Sequence, residues 1–263
     1  MKDIDLRKFV ADFHIHTCLS PCADNDMTPP NILKRAEQCG LDILGICDHN
    51  SAENCESVVE AAHNHDITVF PGMEVTTSEE VHIISLFNSV SDALAMQETV
   101  EDNLDGENDE DAFGIQLIAD KLGNYTGINN KLLIGATRLT VHEVVNKIHE
   151  LNGIAIAAHI DRESFSIISQ LGFIPEDLKL DGLEVTSRLA PDNRGSAGFH
   201  YPAQQEVVKQ YPRYQDYTFI CSSDAHFLDD FGKGRTEVMM CEPTLEEFHK
   251  ALLQKGGRTV IMN

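Results

Sequence analysis

Residues 9–26 read FVADFHIHTCLSPCADND. The first seven are apolar apart from Asp12 and His14 and carry aromatic and β-branched residues, the pattern of a short buried strand. The strand then runs out into histidines, cysteines and aspartates. His14 and His16 are at i and i+2, so in a strand both imidazoles project from one face. A metal ion asks two nitrogens for that arrangement, although the pair alone reads equally as two core histidines.

Working outward, the same kind of strand recurs at 41–47 (LDILGIC), 67–73 (ITVFPGM), 81–87 (VHIISLF), 153–160 (GIAIAAHI), 181–186 (DGLEVT) and 217–223 (YTFICSS). Helical patterns fall between them at 28–39, 52–65, 140–151, 202–210 and 244–254. Thr28 with the prolines after it marks one helix start and Gly40 its end; Thr244, early acids and two closing glycines repeat the device. This alternation predicts an α/β chain with a mostly parallel sheet, open or closed into a barrel. Residues 100–139 break the rhythm, with seven acids in 101–111, and are expected to be an inserted loop or subdomain in a single 1–263 domain. The acids do not match the alternate spacing of a calcium loop.

Strand ends carry the chemistry. Asp224 and His226 stand two apart in SSDAH, Asp48 and His49 follow strand 41–47, Glu74 follows the next, and His159 closes another. His82 lies near a strand beginning and needs the preceding turn to bring it in. Active groups of parallel barrels gather at the C-terminal strand ends, where most of these would meet. Mixed imidazoles, carboxylates and a possible thiolate suit Zn, Mn or Fe better than Mg or Ca, and the donors are too many for one ion, so two or three divalent transition-metal ions are expected. Asp48 either accepts a hydrogen bond from a ligand histidine or caps a turn. His63, His65, His142, His149 and His249 fall on helical patterns and read as solvated.

The chain has 263 residues with 43 acidic and 20 basic, a formal charge of −23. Such a charge opposes a phosphate backbone, so duplex nucleic acid is expected to be an unlikely partner. No signal-peptide core or membrane-length apolar run is visible, which suggests a cytoplasmic protein with no membrane partner. Seven cysteines then read as reduced thiols, Cys18 among the packed ones. Oligomeric state leaves no sign.

DFHIHT, ICDHN, PGMEVTT, VHIISLF, AAHI and SSDAH together resemble, in order and spacing, the motif regions of the polymerase and histidinol phosphatase (PHP) family, over 12–87 and 154–227. The resemblance implies a distorted (βα)7 TIM-like barrel with a cluster of up to three metals. It implies His14, His16, Glu74 and Asp224 around a first ion, Glu74, His82 and His159 around a second, and His49 and His226 around a third. Many relatives complete the third with a histidine or aspartate after the first motif; this sequence departs from them, offering Cys22 by spacing and Asp24 nearby. Clustered ions and activated water imply hydrolysis of a phosphoester. The expected substrate is a small phosphorylated metabolite or nucleotide, as in the nucleoside bisphosphate phosphatase branch. The alternatives are an exonuclease on nucleic-acid ends and a non-catalytic metal-dependent binding module. Arg188, after strand 181–186, is a candidate to bind the phosphate or else a surface ion pair, with Arg194 and Arg235 nearby.

Overall fold

Strands form where the apolar runs fall, and the ends of those strands decide where the polar residues meet. The computed structural model describes residues 5–186 and 204–262. In chain order the elements are β1 (Arg7–Ile15), α1 (Pro29–Cys39), β2 (Ile43–Ile46), α2 (Cys55–Ala62), β3 (Thr68–Thr76), β4 (His82–Leu86), α3 (Val90–Glu101), α4 (Glu110–Phe113), β5 (Leu117–Ala119) and β6 (Tyr125–Ile128). Then follow α5 (Val141–Glu150), β7 (Ile154–Ala157), α6 (Ile167–Leu171), β8 (Gly182–Val185), α7 (Gln204–Gln210), β9 (Phe219–Cys221), β10 (Thr236–Met240), α8 (Leu245–Leu252) and β11 (Thr259–Ile261).

Nine strands make one sheet in the order β11-β10-β1-β2-β3-β4-β7-β8-β9. It nearly closes, because the segment after β9 returns to β1: Ile15 bridges Ala225 in parallel, and His16 N–H donates to the Ala225 carbonyl at 2.9 Å. The result is a mixed α/β barrel-like sheet. The pairs β1–β2, β2–β3, β7–β8 and β8–β9 are parallel, whereas β3–β4, β4–β7 and β1–β10 are antiparallel. The reversal of β4 answers how His82 reaches the strand ends: running backwards, β4 begins where its neighbours finish, and His82 pairs with Thr76. Gly72 permits the close pairing of these two strands, since a Cβ there would lie 2.0 Å from the Ser85 carbonyl oxygen.

Two apolar clusters hold the sheet. Inward residues of the strands, including Phe13, Ile43, Ile84, Ile156 and Ile220, pack with Phe248 of α8, whose ring stacks on Phe13 at 4.0 Å. Ile32, Val58 and Val144 from the helices pack in the other cluster. α1 starts after Thr28 with proline in its first turn and ends at Gly40, whose φ of 66° is the left-handed cap that glycine adopts without strain.

Part of the 100–139 segment forms α4 and a two-stranded hairpin of β5 and β6. It is stitched to the loop after β1: Leu117 N–H donates to the Cys18 carbonyl at 2.9 Å, and the Asn54 side chain donates to Leu117 O and accepts from Ala119 N–H. The insertion therefore abuts the loop that follows His16. All seven cysteines are free. Among the described residues no helix is long and apolar enough to cross a membrane.

Candidate metal centre

Glu74 is the hub. Its side chain is buried in β3 and receives imidazoles from four other segments: His82 Nδ1 at 2.8 Å and His159 Nε2 at 3.0 Å from Oε1, His49 Nδ1 at 3.0 Å from Oε2, and His14 and His16 Nε2 each at 3.5 Å. Asp224 closes the other side, with Oδ1 at 3.0 Å from His16 Nε2 and 3.3 Å from His14 Nε2. His226 stacks on His16 with ring centroids 4.0 Å apart.

Three groups of donor atoms each lie within 4.8 Å of one another: His14, His16, Glu74 and Asp224; His49, Glu74 and His82; and His16, His49 and His226. The first matches the expected set. The second brings His49 to Glu74 and His82; His159, the expected partner, meets the same Glu74 Oε1 as His82, with the two rings' centroids 5.4 Å apart. Asp224 and His159 hold positive φ, 50° and 28°, a backbone cost that side chains accept where surrounding structure imposes it.

Hydrogen bonds behind the cluster decide which nitrogen of each ring faces inward. His14 Nδ1–H donates to Glu184 Oε2 at 3.0 Å, and Glu184 also accepts from His159 N–H. Ser20 Oγ donates to Asp48 Oδ1 at 2.6 Å, so it must accept from His16 Nδ1–H at 2.9 Å. Both rings then turn an Nε2 lone pair inward, and these atoms are 3.1 Å apart. Two lone pairs beside two carboxylates repel unless a proton on one ring or a metal cation lies between them. His49 Nδ1, close to Glu74 but not aligned to hydrogen-bond, and the buried His159 Nδ1 are also without hydrogen-bond partners. Imidazoles and carboxylates converging in this way fit divalent transition-metal ions.

Charge within the cluster is correspondingly strained. Burial alone would raise Glu74 and Asp224, yet the histidines hold both well below the usual carboxylate range: His82 and His14 act on Glu74, His14 and His16 on Asp224. Burial lowers His14, but Glu184, Asp224 and Glu74 outweigh it and raise the ring well above the ordinary value. His16 goes the other way, pushed down by burial and by His226 and His49.

Cys22 lines the cleft beside His226 with its side chain exposed, near enough to His226 and His49 for both to act on its thiol. Burial would raise that thiol, but His226 and His49 outweigh it and bring it down to about 6. Asp24 does not join the cluster: its exposed side chain accepts Asp26 N–H at 2.8 Å. Asp48, a candidate for a part beside the reaction, has both oxygens consumed, by Thr17 N–H and Oγ1 and by Ser20, so it reaches His16 only through Ser20 and caps the turn as well. It holds the ligand loop and touches no solvent. Arg188 and Arg194 lie outside the described residues.

Two residues were missed. Glu184 is one acid inside the apolar run of β8, a place where a buried charge needs a partner. Arg162, after His159, places Nη1 2.6 Å from Asp224 Oδ2 and lines a cleft of about 470 Å³ with Cys22, His226, Phe227 and Lys233. Arg162 follows a strand end just as Arg188 does, which was the available signal.

The PHP domain family model matches residues 12–254. An uncharacterised protein of Methanocaldococcus jannaschii is 32% identical over 101 residues, covering 35% of this chain and 58% of the relative. A 5'-3' exoribonuclease of Haemophilus influenzae is 30% identical over 78 residues, 28% of this chain and 27% of the relative. The chain thus matches only part of the length of these relatives. The lesion-specific Endonuclease Q of Pyrococcus furiosus superposes with a TM-score of 0.70 at 20% identity, over 97% of this chain and 58% of that one. A complex of Endonuclease Q with a 27-mer duplex bearing an abasic lesion at the active site superposes with a TM-score of 0.69 at 19% identity, over 96% and 58%. That complex overturns the expectation that duplex nucleic acid is an unlikely partner, since a molecule of this fold receives a duplex. The whole-chain charge is a sum over the surface, whereas a partner meets one face, and cations bound at a site can reverse the field there.

Proposed function

The chain belongs to the PHP domain family and is a hydrolase, and on that premise we propose that it is a phosphoesterase whose centre, built on His14, His16, His49, Glu74, His82, His159, Asp224 and His226, hydrolyses the phosphate ester of a nucleotide-sized substrate with two or three Zn, Mn or Fe ions. The observation that carries the reading is the convergence of these side chains in one cluster, two of which, Asp224 and His226, also line a cleft of about 470 Å³, the scale of a small-ligand site.

Ions bound there supply Lewis acidity, lowering the pKa of water and offsetting charge on the phosphate oxygens. The chain's own residues do the rest. Glu184 holds the His14 proton on Nδ1, and the Ser20–Asp48 pair does the same for His16, so both rings keep Nε2 for an ion. Arg162 binds Asp224 through Nη1 and is partly exposed in the cleft, which leaves guanidinium N–H groups for non-reacting phosphate oxygens. Lys233, paired with Asp230, lines the same cleft. Metal-loaded protein is expected to release phosphate from nucleotides or bisphosphates in a panel that includes sugar phosphates and histidinol phosphate. With the centre fully loaded, no turnover across that panel or on nucleic acid contradicts the reading.

A nucleic-acid strand is the second reading, favoured by Phe227. Its ring is 50% exposed beside His226 on the cleft wall, a surface on which a base stacks. Endonuclease Q and the exoribonuclease act on such polymers by their names. Release of nucleotides or nicked products from labelled single-stranded and duplex substrates separates the two readings.

A further inference from the structure

We infer that Phe165 is a positioning residue of the centre: its ring holds the His82 imidazole in the plane from which Nδ1 reaches Glu74, and the backbone strain at Phe165 is retained for that contact. The inference rests on the metal-centre reading above and adds a residue that would touch no ion.

Phe165 has a φ of 58°, in the left-handed region that a bulky side chain seldom occupies. Its side chain is 39% exposed, so full burial of the ring does not account for the cost. The backbone is pinned on both sides. The Phe165 carbonyl accepts from His82 N–H at 2.9 Å, and the next residue, Ser166, donates its hydroxyl to the Arg162 carbonyl at 2.8 Å and caps α6 by accepting from Ser169 N–H. Strain of this kind persists where the surrounding structure imposes it, and it collects at functional sites. Here the imposed conformation lays the Phe165 ring on the His82 ring, with centroids 4.7 Å apart and planes 20° from parallel.

His82 is a ring in need of such support. A hydrogen bond to a group outside the donor set sets the rotation of three others: His14 bonds to Glu184, His16 to Ser20, and His226 Nδ1–H donates to the Asp224 carbonyl at 2.9 Å. Among the described residues the His82 ring hydrogen-bonds to Glu74 alone, Nδ1 to Oε1 at 2.8 Å. Its backbone is fixed, since Ala158 N–H donates to the His82 carbonyl at 3.1 Å while His82 N–H is held by Phe165, but those bonds leave the side-chain torsions free. A stacked aromatic face limits them. Phe165 thus does for His82 by ring contact what Glu184 does for His14 by hydrogen bonding.

Competition between the zinc-loaded full chain and a chelator tests the role. Phe165→Ala and Phe165→Asn are expected to weaken the binding of one ion about 10-fold, whereas Phe165→Tyr, which keeps a ring, should bind as wild type does. Asparagine accepts a left-handed backbone more readily than alanine, so metal-free Phe165→Asn should unfold at a urea concentration no lower than metal-free Phe165→Ala, and its loss of metal then reports the missing ring instead of the backbone. Because Phe165 acts through His82, the Phe165→Asn change should cost nothing further in a His82→Ala background. Circular dichroism checks that each variant is folded. Wild-type affinity in folded Phe165→Asn, a loss in Phe165→Tyr equal to that in Phe165→Ala, or a further loss in the His82→Ala background overturns the inference and leaves the phosphoesterase reading intact. A wild-type protein that binds no zinc overturns the metal centre and this inference together.

Discussion

Glu184 shows how much of the centre depends on residues that would touch no ion. Its carboxylate fixes the His14 ring and ties the His159 backbone to the same point. Glu184→Gln keeps the shape but offers a weaker acceptor, and is expected to lower metal affinity about 10–100-fold, read by competition against a chelator. Unchanged affinity would mean that His14 is oriented by packing alone. The histidines at strand ends were legible from the sequence because two-residue spacing on a strand has a geometric meaning. Glu184 was not, since one acid inside GLEV gives no spacing to read. Asp48 was legible as a partner of a ligand histidine but not as one acting through Ser20, because the turn from Thr17 to Ser20 exists only once the loop is folded.

At the scale of elements, strand existence was legible and strand direction was not. The seven apolar runs became β1, β2, β3, β4, β7, β8 and β9, but nothing in VHIISLF says that it runs backwards. β10 and β11 went unread: TEVMM is a five-residue stretch that alternates buried and half-buried residues, and TVI is three residues long. The β3–β4 pairing that delivers His82 depends on Gly72. Gly72→Ala drives a Cβ to 2.0 Å from Ser85 O, so the strands must part; a loss of about 3 kcal/mol or more is expected in urea unfolding, with reduced metal binding. A neutral result would show that the sheet yields there at little cost.

α8 offers a test of the packing beneath the barrel. Hydrogen bonds from Arg258 chiefly, helped by Cys241 N–H and Lys250, bring Glu247 from its ordinary 4.5 to about 2. A depressed folded-state value contributes stability that is present above the unfolded value and is lost as pH falls toward the folded one. Glu247→Gln should therefore cost roughly 1–2 kcal/mol at neutral pH, with the difference from wild type shrinking between about pH 5 and pH 2. A pH-independent difference would assign the loss to packing instead of charge.

The whole molecule carries a formal charge of −23 and still concentrates histidines and acids at one end of its barrel. Net charge was legible and misleading: it described the sum over the surface and not the face where a substrate arrives. The hairpin insertion was legible as an interruption, but its contact with the loop after His16 emerges only from the Asn54 and Cys18 bonds. Those bonds tie the insertion to the loop that follows His16. The most direct measurement of the central claim is turnover of a phosphate ester as a function of counted metal, by elemental analysis of the same samples, for wild type and Glu74→Gln. The account predicts two or three transition-metal ions per chain and activity that rises with their number, with Glu74→Gln losing both metal and at least about 100-fold of the rate. Turnover that persists unchanged in protein stripped of metal, or in Glu74→Gln, would contradict it.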